Sequence, residues 1–158
     1  MARATFVKAA QKDNSAVKKG ESYYWWKFRF GGKHYSKTRP KSSQLTQSAF
    51  LGTVYAIVES IEDTEPSSFK NGSDMQSFIE STKDDIASLR DETQDSLDNM
   101  PEHLQESSSS GELLTERIEL LEEWETNIDG IDEPYDETED EELQGIWEEF
   151  SSFTYEGS

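Results

Sequence analysis

Eleven of the fifteen Lys and Arg residues lie within the first 45 positions, where the only carboxylates are Asp13 and Glu21. That front segment carries a formal charge of +9, and residues 46–158, with four cations against 32 acids, carry −28, which together give the net −19. Such a split constrains folding: the long acidic part repels itself on compaction, whereas the basic front calls for an anionic counterpart, the nearest being the rest of the chain. Apolar residues fill only 32% of the 158 positions and the mean hydropathy is −0.87. Small packings and helical seams are therefore expected in place of one large core.

The front also gathers rings, in "ESYYWWKFRFGGKHYSKTRPK". Aromatic residues from Ser22 to Phe30 favour a strand, Gly31-Gly32 offers the positive φ of a hairpin turn, and a return strand from Lys33 or His34 to Thr38 ends before Pro40. Alternation sets Tyr24, Trp26, Phe28 and Phe30 on one face and Tyr23, Trp25, Lys27 and Arg29 on the other. A two-residue turn would bring Lys33, Tyr35, Lys37 and Arg39 beside the first face. A three-residue turn would bring His34, Ser36 and Thr38 there and oppose Lys27 to Lys37. Residues 1–19 read as a basic arm that allows a helical turn near Ala4 to Gln11. From Ser43 to Glu62, Phe50, Val54, Ile57, Val58 and Ile61 fall at helical spacing, and this helix is expected to cover the hairpin and bury Trp26 and Phe28. Residues 20–63 thus form a hairpin-plus-helix unit.

Pro, Ser and Asn-Gly mark residues 64–72 as a linker. Residues 73–128 follow as a helical hairpin. One row of its first helix is Met75, Thr82, Leu89 and Ser96, the other Ile79, Ile86, Thr93 and Met100. Ser73 with Gln76, Asn99 with Glu102 and Ser109 with Glu112 have capping-box spacing, and the Ser-rich loop 107–111 leads into Leu114, Ile118, Leu121, Trp124 and Ile128. The two seams close on each other or on a second copy as a coiled-coil homodimer. The tail, residues 129–158, has no Lys or Arg; it reads as a solvated leash with one helix starting near Thr138 that presents Leu143, Trp147 and Phe150 to a protein partner. The fold class is α+β.

Chemistry is sparse. The chain has no Cys, which excludes disulfides, thiolate catalysis and Cys-based zinc sites and favours a cytoplasmic setting. His34 and His103 stand in no ligand or nucleophile spacing, and the carboxylates lie in charge runs. No calcium loop or phosphate-binding glycine loop is present, and no stretch is apolar enough to span a bilayer. The expectation is a non-enzymatic protein without cofactor or metal and with no membrane partner.

The hairpin carries the sharper reading. Lys27, Arg29, Lys37 and Arg39 have the character of phosphate contacts, and Tyr23, Trp25 and Tyr35 that of stacking groups, for DNA or RNA. "YYWWKFRFGGKHYSKT" followed by a helix resembles the three-stranded, helix-backed DNA-binding modules at the front of some phage integrases, over about residues 20–62. More broadly, "KKGESYYWWKFRFGGKHYSKTRPKSSQLTQSAF" with "LDNMPEHLQESSSSGELL" resembles a family of small uncharacterised bacteriophage and bacterial proteins, over most of residues 3–128. The resemblance implies a phage context, with action in the host cytoplasm. Two other expectations stand beside nucleic-acid binding under autoinhibition by the acidic tail. One is an acidic nucleic-acid mimic or adaptor that binds and inhibits a host protein of defence or transcription; the other is a virion or assembly component.

Overall fold

The computed structural model describes all 158 residues, which divide into two units, Met1–Ala56 and Ile57–Ser158. The fold is α+β, with a three-stranded antiparallel sheet in the N-terminal part of the sequence followed along the chain by helices.

In the first unit the aromatic run becomes β2 (Tyr23–Lys27), the centre of the sheet. It pairs with β3 (Lys33–Ser36) on one side and β1 (Thr5–Val7) on the other. The expected basic arm is therefore a strand with a structured loop, and the helical turn near Ala4 to Gln11 does not form. Thr-Phe-Val favours extended backbone, but three residues are too few to display a period. The connection back to β2 is clipped by its own polar groups. Asn14 Oδ1 accepts from Ala16 and Val17 N–H at 2.9 and 3.0 Å, Asp13 accepts from Lys19 N–H at 2.8 Å, and Glu21 accepts from Lys18 N–H at 2.9 Å. Gly20, at φ +94, allows the reversal into β2.

The β2–β3 loop takes five residues, Phe28 to Gly32, with only Gly31 left-handed at φ +127. The pairs are Tyr24 with Ser36, Trp25 with Tyr35, Trp26 with His34 and Lys27 with Lys33. Neither expected register is adopted, although the second assigned His34 and Ser36 to the correct face. A 3-10 turn, Ser42–Leu45, follows, and Ala2 N–H donates to Leu45 O at 2.7 Å. The helix α1 (Ala49–Glu62) starts later than the periodicity predicts, after Ser48 has accepted from Leu51 N–H through its hydroxyl. The division between the units falls inside α1. Ala10, Val17, Trp26, Pro40 and Val54 are the buried residues of the first unit, while Phe28 is half-buried.

The second unit is built on α2 (Gly72–Asp98) and α4 (Ser109–Asp129), joined through the single turn α3 (Glu102–Gln105). They pack antiparallel, with Lys83 paired to Asp129 and Arg90 to Glu125 across them. Met75, Ile79, Thr82, Ile86, Leu89 and Thr93 are buried on α2, and Ile118, Leu121, Trp124 and Ile128 on α4. Thr82 and Thr93 are tolerated in this seam because their hydroxyls donate to the carbonyls of Phe78 and Leu89, at 3.0 and 2.7 Å. Of the seam alternatives, the internal one is observed. The caps shift by a residue or two: Asn71 accepts from Asp74 N–H and Ser108 from Gly111 N–H, while Pro101 opens α3 without a side-chain cap.

The acidic tail departs most from expectation. It is a packed part of this unit, and its helix α5 (Asp140–Ser152) buries Ile146, Trp147 and Phe150. Trp147 meets Phe69 and Phe78 at ring-centroid distances of 5.4 and 5.6 Å, and Phe150 meets Phe78 edge-on at 6.3 Å. Phe69, from the expected linker, is half-buried and supplies one side of this aromatic cluster. Ile131 and Pro134 are buried on the way to α5, Ser73 N–H donates to Asp136 at 3.2 Å, and Arg117 Nε donates to the Ser158 carbonyl at 2.8 Å. Gly72 lets the tail cross the start of α2, since a Cβ there would overlap the backbone of Tyr135. No helix is long and apolar enough to cross a membrane.

Candidate nucleic-acid interface

The sheet sorts the rings by parity. Phe6, Tyr24, Trp26, His34 and Ser36 share one face, where Phe6 lies 5.0 Å from Tyr24 and His34 stacks on Trp26 at 5.4 Å. Trp26 is 5% exposed and belongs to the core. The opposite face carries Thr5, Val7, Tyr23, Trp25, Lys27, Lys33 and Tyr35. Here the three rings are half-buried and both lysines exposed.

This second face floors an open hollow of about 590 Å³. Tyr23, Trp25 and Tyr35 line it together with Lys33 and, from the front loop, Gln11, Lys12 and Asn14. Trp25 is central, with Thr5 beside it on β1 and Tyr35 on β3. The Tyr23 and Tyr35 rings lie 6.0 Å apart and tilted, and the Lys33 ammonium sits 4.5 Å over the Trp25 ring. That placement is a cation–π contact, which relieves part of the repulsion between the directly opposed Lys27 and Lys33.

All three expected stacking residues thus converge. The expected phosphate contacts divide. Lys27 and Arg29 line a neighbouring hollow of about 400 Å³ with Arg3 and Gln47, and Arg29 lies 5.4 Å from the exposed ring of Phe30. Lys37 is drawn to Glu21 at 3.4 Å, and Arg39 is exposed outside both hollows. The Lys18 amide and the Lys37 ammonium hold the Glu21 carboxyl below the usual carboxylate range. Glu21 is therefore ionised at neutral pH, and its support of the loop is lost only as pH falls through that lowered value. Lys27, Arg29, Lys33 and Arg39 make no ion pair within the chain.

Sequence reasoning missed Gln11, Lys12, Asn14 and Arg3, because the arm was not expected to fold against the hairpin. Its positive charge was the available signal. Of the expected protein-contact residues, Trp147 and Phe150 are 6% and 0% exposed, so neither ring is presented to a partner; Leu143 is half-buried beside Phe69 at a surface hollow. Compared with protein-family models, with curated proteins and with solved structures, the chain matches none.

Proposed function

We propose that this is a non-enzymatic nucleic-acid-binding protein that engages its ligand through the Trp25 face of the sheet. The observation that carries the reading is the sorting of the rings. Trp26 is spent on the core, while Trp25, Tyr23 and Tyr35 floor an open hollow among cations that have no carboxylate partner. Backbone phosphates answer the charge, and bases answer the rings. A phage setting with action in the host cytoplasm belongs to the same reading and rests on the sequence resemblance to small bacteriophage and bacterial proteins.

The second unit, at −28, is a tethered polyanion that competes with nucleic acid through its field. Competition originates in the folded unit as a whole, since its tail is packed and not a free leash. Three of its four cations are already engaged, Lys83 by Asp129, Arg90 by Asp91 and Glu125, and Arg117 by the Ser158 carbonyl. That surface favours a second reading, in which it docks a basic protein.

Anisotropy titration of labelled oligonucleotides tests the first reading. About four phosphate contacts imply that affinity falls on the order of 50- to 150-fold between 50 and 200 mM salt. Gln at Glu137, Glu139, Glu141 and Glu142 is expected to raise affinity at 50 mM, with the difference closing at 200 mM as screening shortens. No binding at 50 mM salt contradicts the proposal, and an unchanged affinity of the Gln variant removes the competition.

A further inference from the structure

We infer that the hollow over Trp25 takes an unpaired base of a single-stranded nucleic acid, stacked on the indole face that the Lys33 ammonium covers in the free protein. This rests on the nucleic-acid reading and narrows it from nucleic acids in general to single strands.

Position is the first argument. Trp25 lies on the central strand with a paired residue on either side, so its ring faces the middle of the hollow and not a protruding edge. A duplex buries the faces of its bases against each other and offers a protein only their edges, which are read by Arg, Lys, Asn and Gln projecting into a groove. The centre of this face has rings where such readers would be needed. An unpaired base presents the flat surface that an indole complements.

The second argument is the present occupant. Lys33 Nζ lies 4.5 Å from the Trp25 centroid, so the ring face is reachable from solvent and is covered by a group on a flexible stem. Exchange of ammonium for base frees Lys33 to meet the adjoining phosphate. Lys27, next to it on the paired strand, supplies a second phosphate contact, and their mutual repulsion is relieved by the same anion. Room is sufficient: about 590 Å³ falls within the roughly 300–1,000 Å³ of pockets that hold small ligands. Lys12 and the Gln11 amide, which also line the hollow, offer a further phosphate contact and a donor–acceptor pair for the base edge.

The test uses the full chain and three probes of equal length at 50 mM salt: a labelled oligothymidine, the matching oligouridine and a twelve-base-pair DNA duplex. Single strands are expected to bind about tenfold or more tightly than the duplex. Trp25→Leu, which keeps apolar bulk in the strand without a π face, is expected to lose about tenfold on single strands with an unchanged salt slope, while Trp25→Phe stays within about threefold of wild type. Whichever strand binds tighter, thymidine or uridine, assigns DNA or RNA as the source of the base. Duplex binding as tight as that of both single strands, or equal behaviour of the Leu and Phe variants, overturns the stacked base while leaving the nucleic-acid reading intact. Failure of all three probes to bind overturns both.

Discussion

Phe150→Ala is expected to destabilise the second unit by about 3–5 kcal/mol, the usual cost of truncating a fully buried Phe. Phe150 is 0% exposed and packs against Trp147 at 5.4 Å and Phe78 at 6.3 Å, and Trp147 in turn rests on Phe69. Removing the ring leaves a cavity beside Phe78 of α2 and Trp147 of α5, and neither ring can move into the space without loosening its own contact with Phe69. Urea unfolding followed by far-UV circular dichroism measures the effect. A solvated tail would give a change within about 0.5 kcal/mol, the ordinary range for a surface substitution. That outcome would mean α5 does not pack.

The second large effect concerns binding without stability. Gln in place of Lys27, Arg29 and Lys33 together is expected to weaken nucleic-acid binding on the order of 100-fold at 50 mM salt, with the loss shrinking toward zero near 1 M. All three side chains are exposed and without ion pairs, and the contacts of Lys33 with the Trp25 ring and of Arg29 with the Phe30 ring contribute about 0.5–1 kcal/mol each at exposed sites. Because Lys27 and Lys33 are directly opposed, relief of their repulsion offsets part of that loss, and the free variant should stay within about 1 kcal/mol of wild type. Thermal melting beside the titrations separates the two effects. A variant that melts early and binds weakly would show the charges to be structural.

How far the sequence could be read depended on how strongly each segment announced its period. The α2 seam was legible, because Met75, Ile79, Thr82, Ile86, Leu89 and Thr93 recur at helical spacing and all are buried. Parity along the aromatic strand separated Trp26 from Trp25 and so placed the face of the candidate interface. The strand Thr5–Val7 was not legible, being three residues whose only strong signal is the partner they pair with. Register escaped as well, since the five-residue loop Phe28 to Gly32 leaves Gly32 without a positive φ and moves each pair along the strand. In the tail the spacing of Leu143, Trp147 and Phe150 was visible, but acidic composition argued for solvation. Phe69, a lone ring in polar surroundings, and Phe78, outside the two seam rows of α2, gave no hint that they form the seat for that helix.

The indole N–H signals of the four tryptophans give the most direct test of the account. Trp25 and Trp26 belong to the first unit, Trp124 and Trp147 to the second. In a ¹⁵N-labelled full-length sample titrated with a short oligothymidine, the Trp25 indole and the amides of Tyr23, Lys27, Lys33 and Tyr35 are expected to shift, with the Trp124 and Trp147 indoles unmoved. Shifts centred on Trp124 and Trp147, or none at saturating oligonucleotide, would contradict the claim that the cationic aromatic sheet is the contact surface.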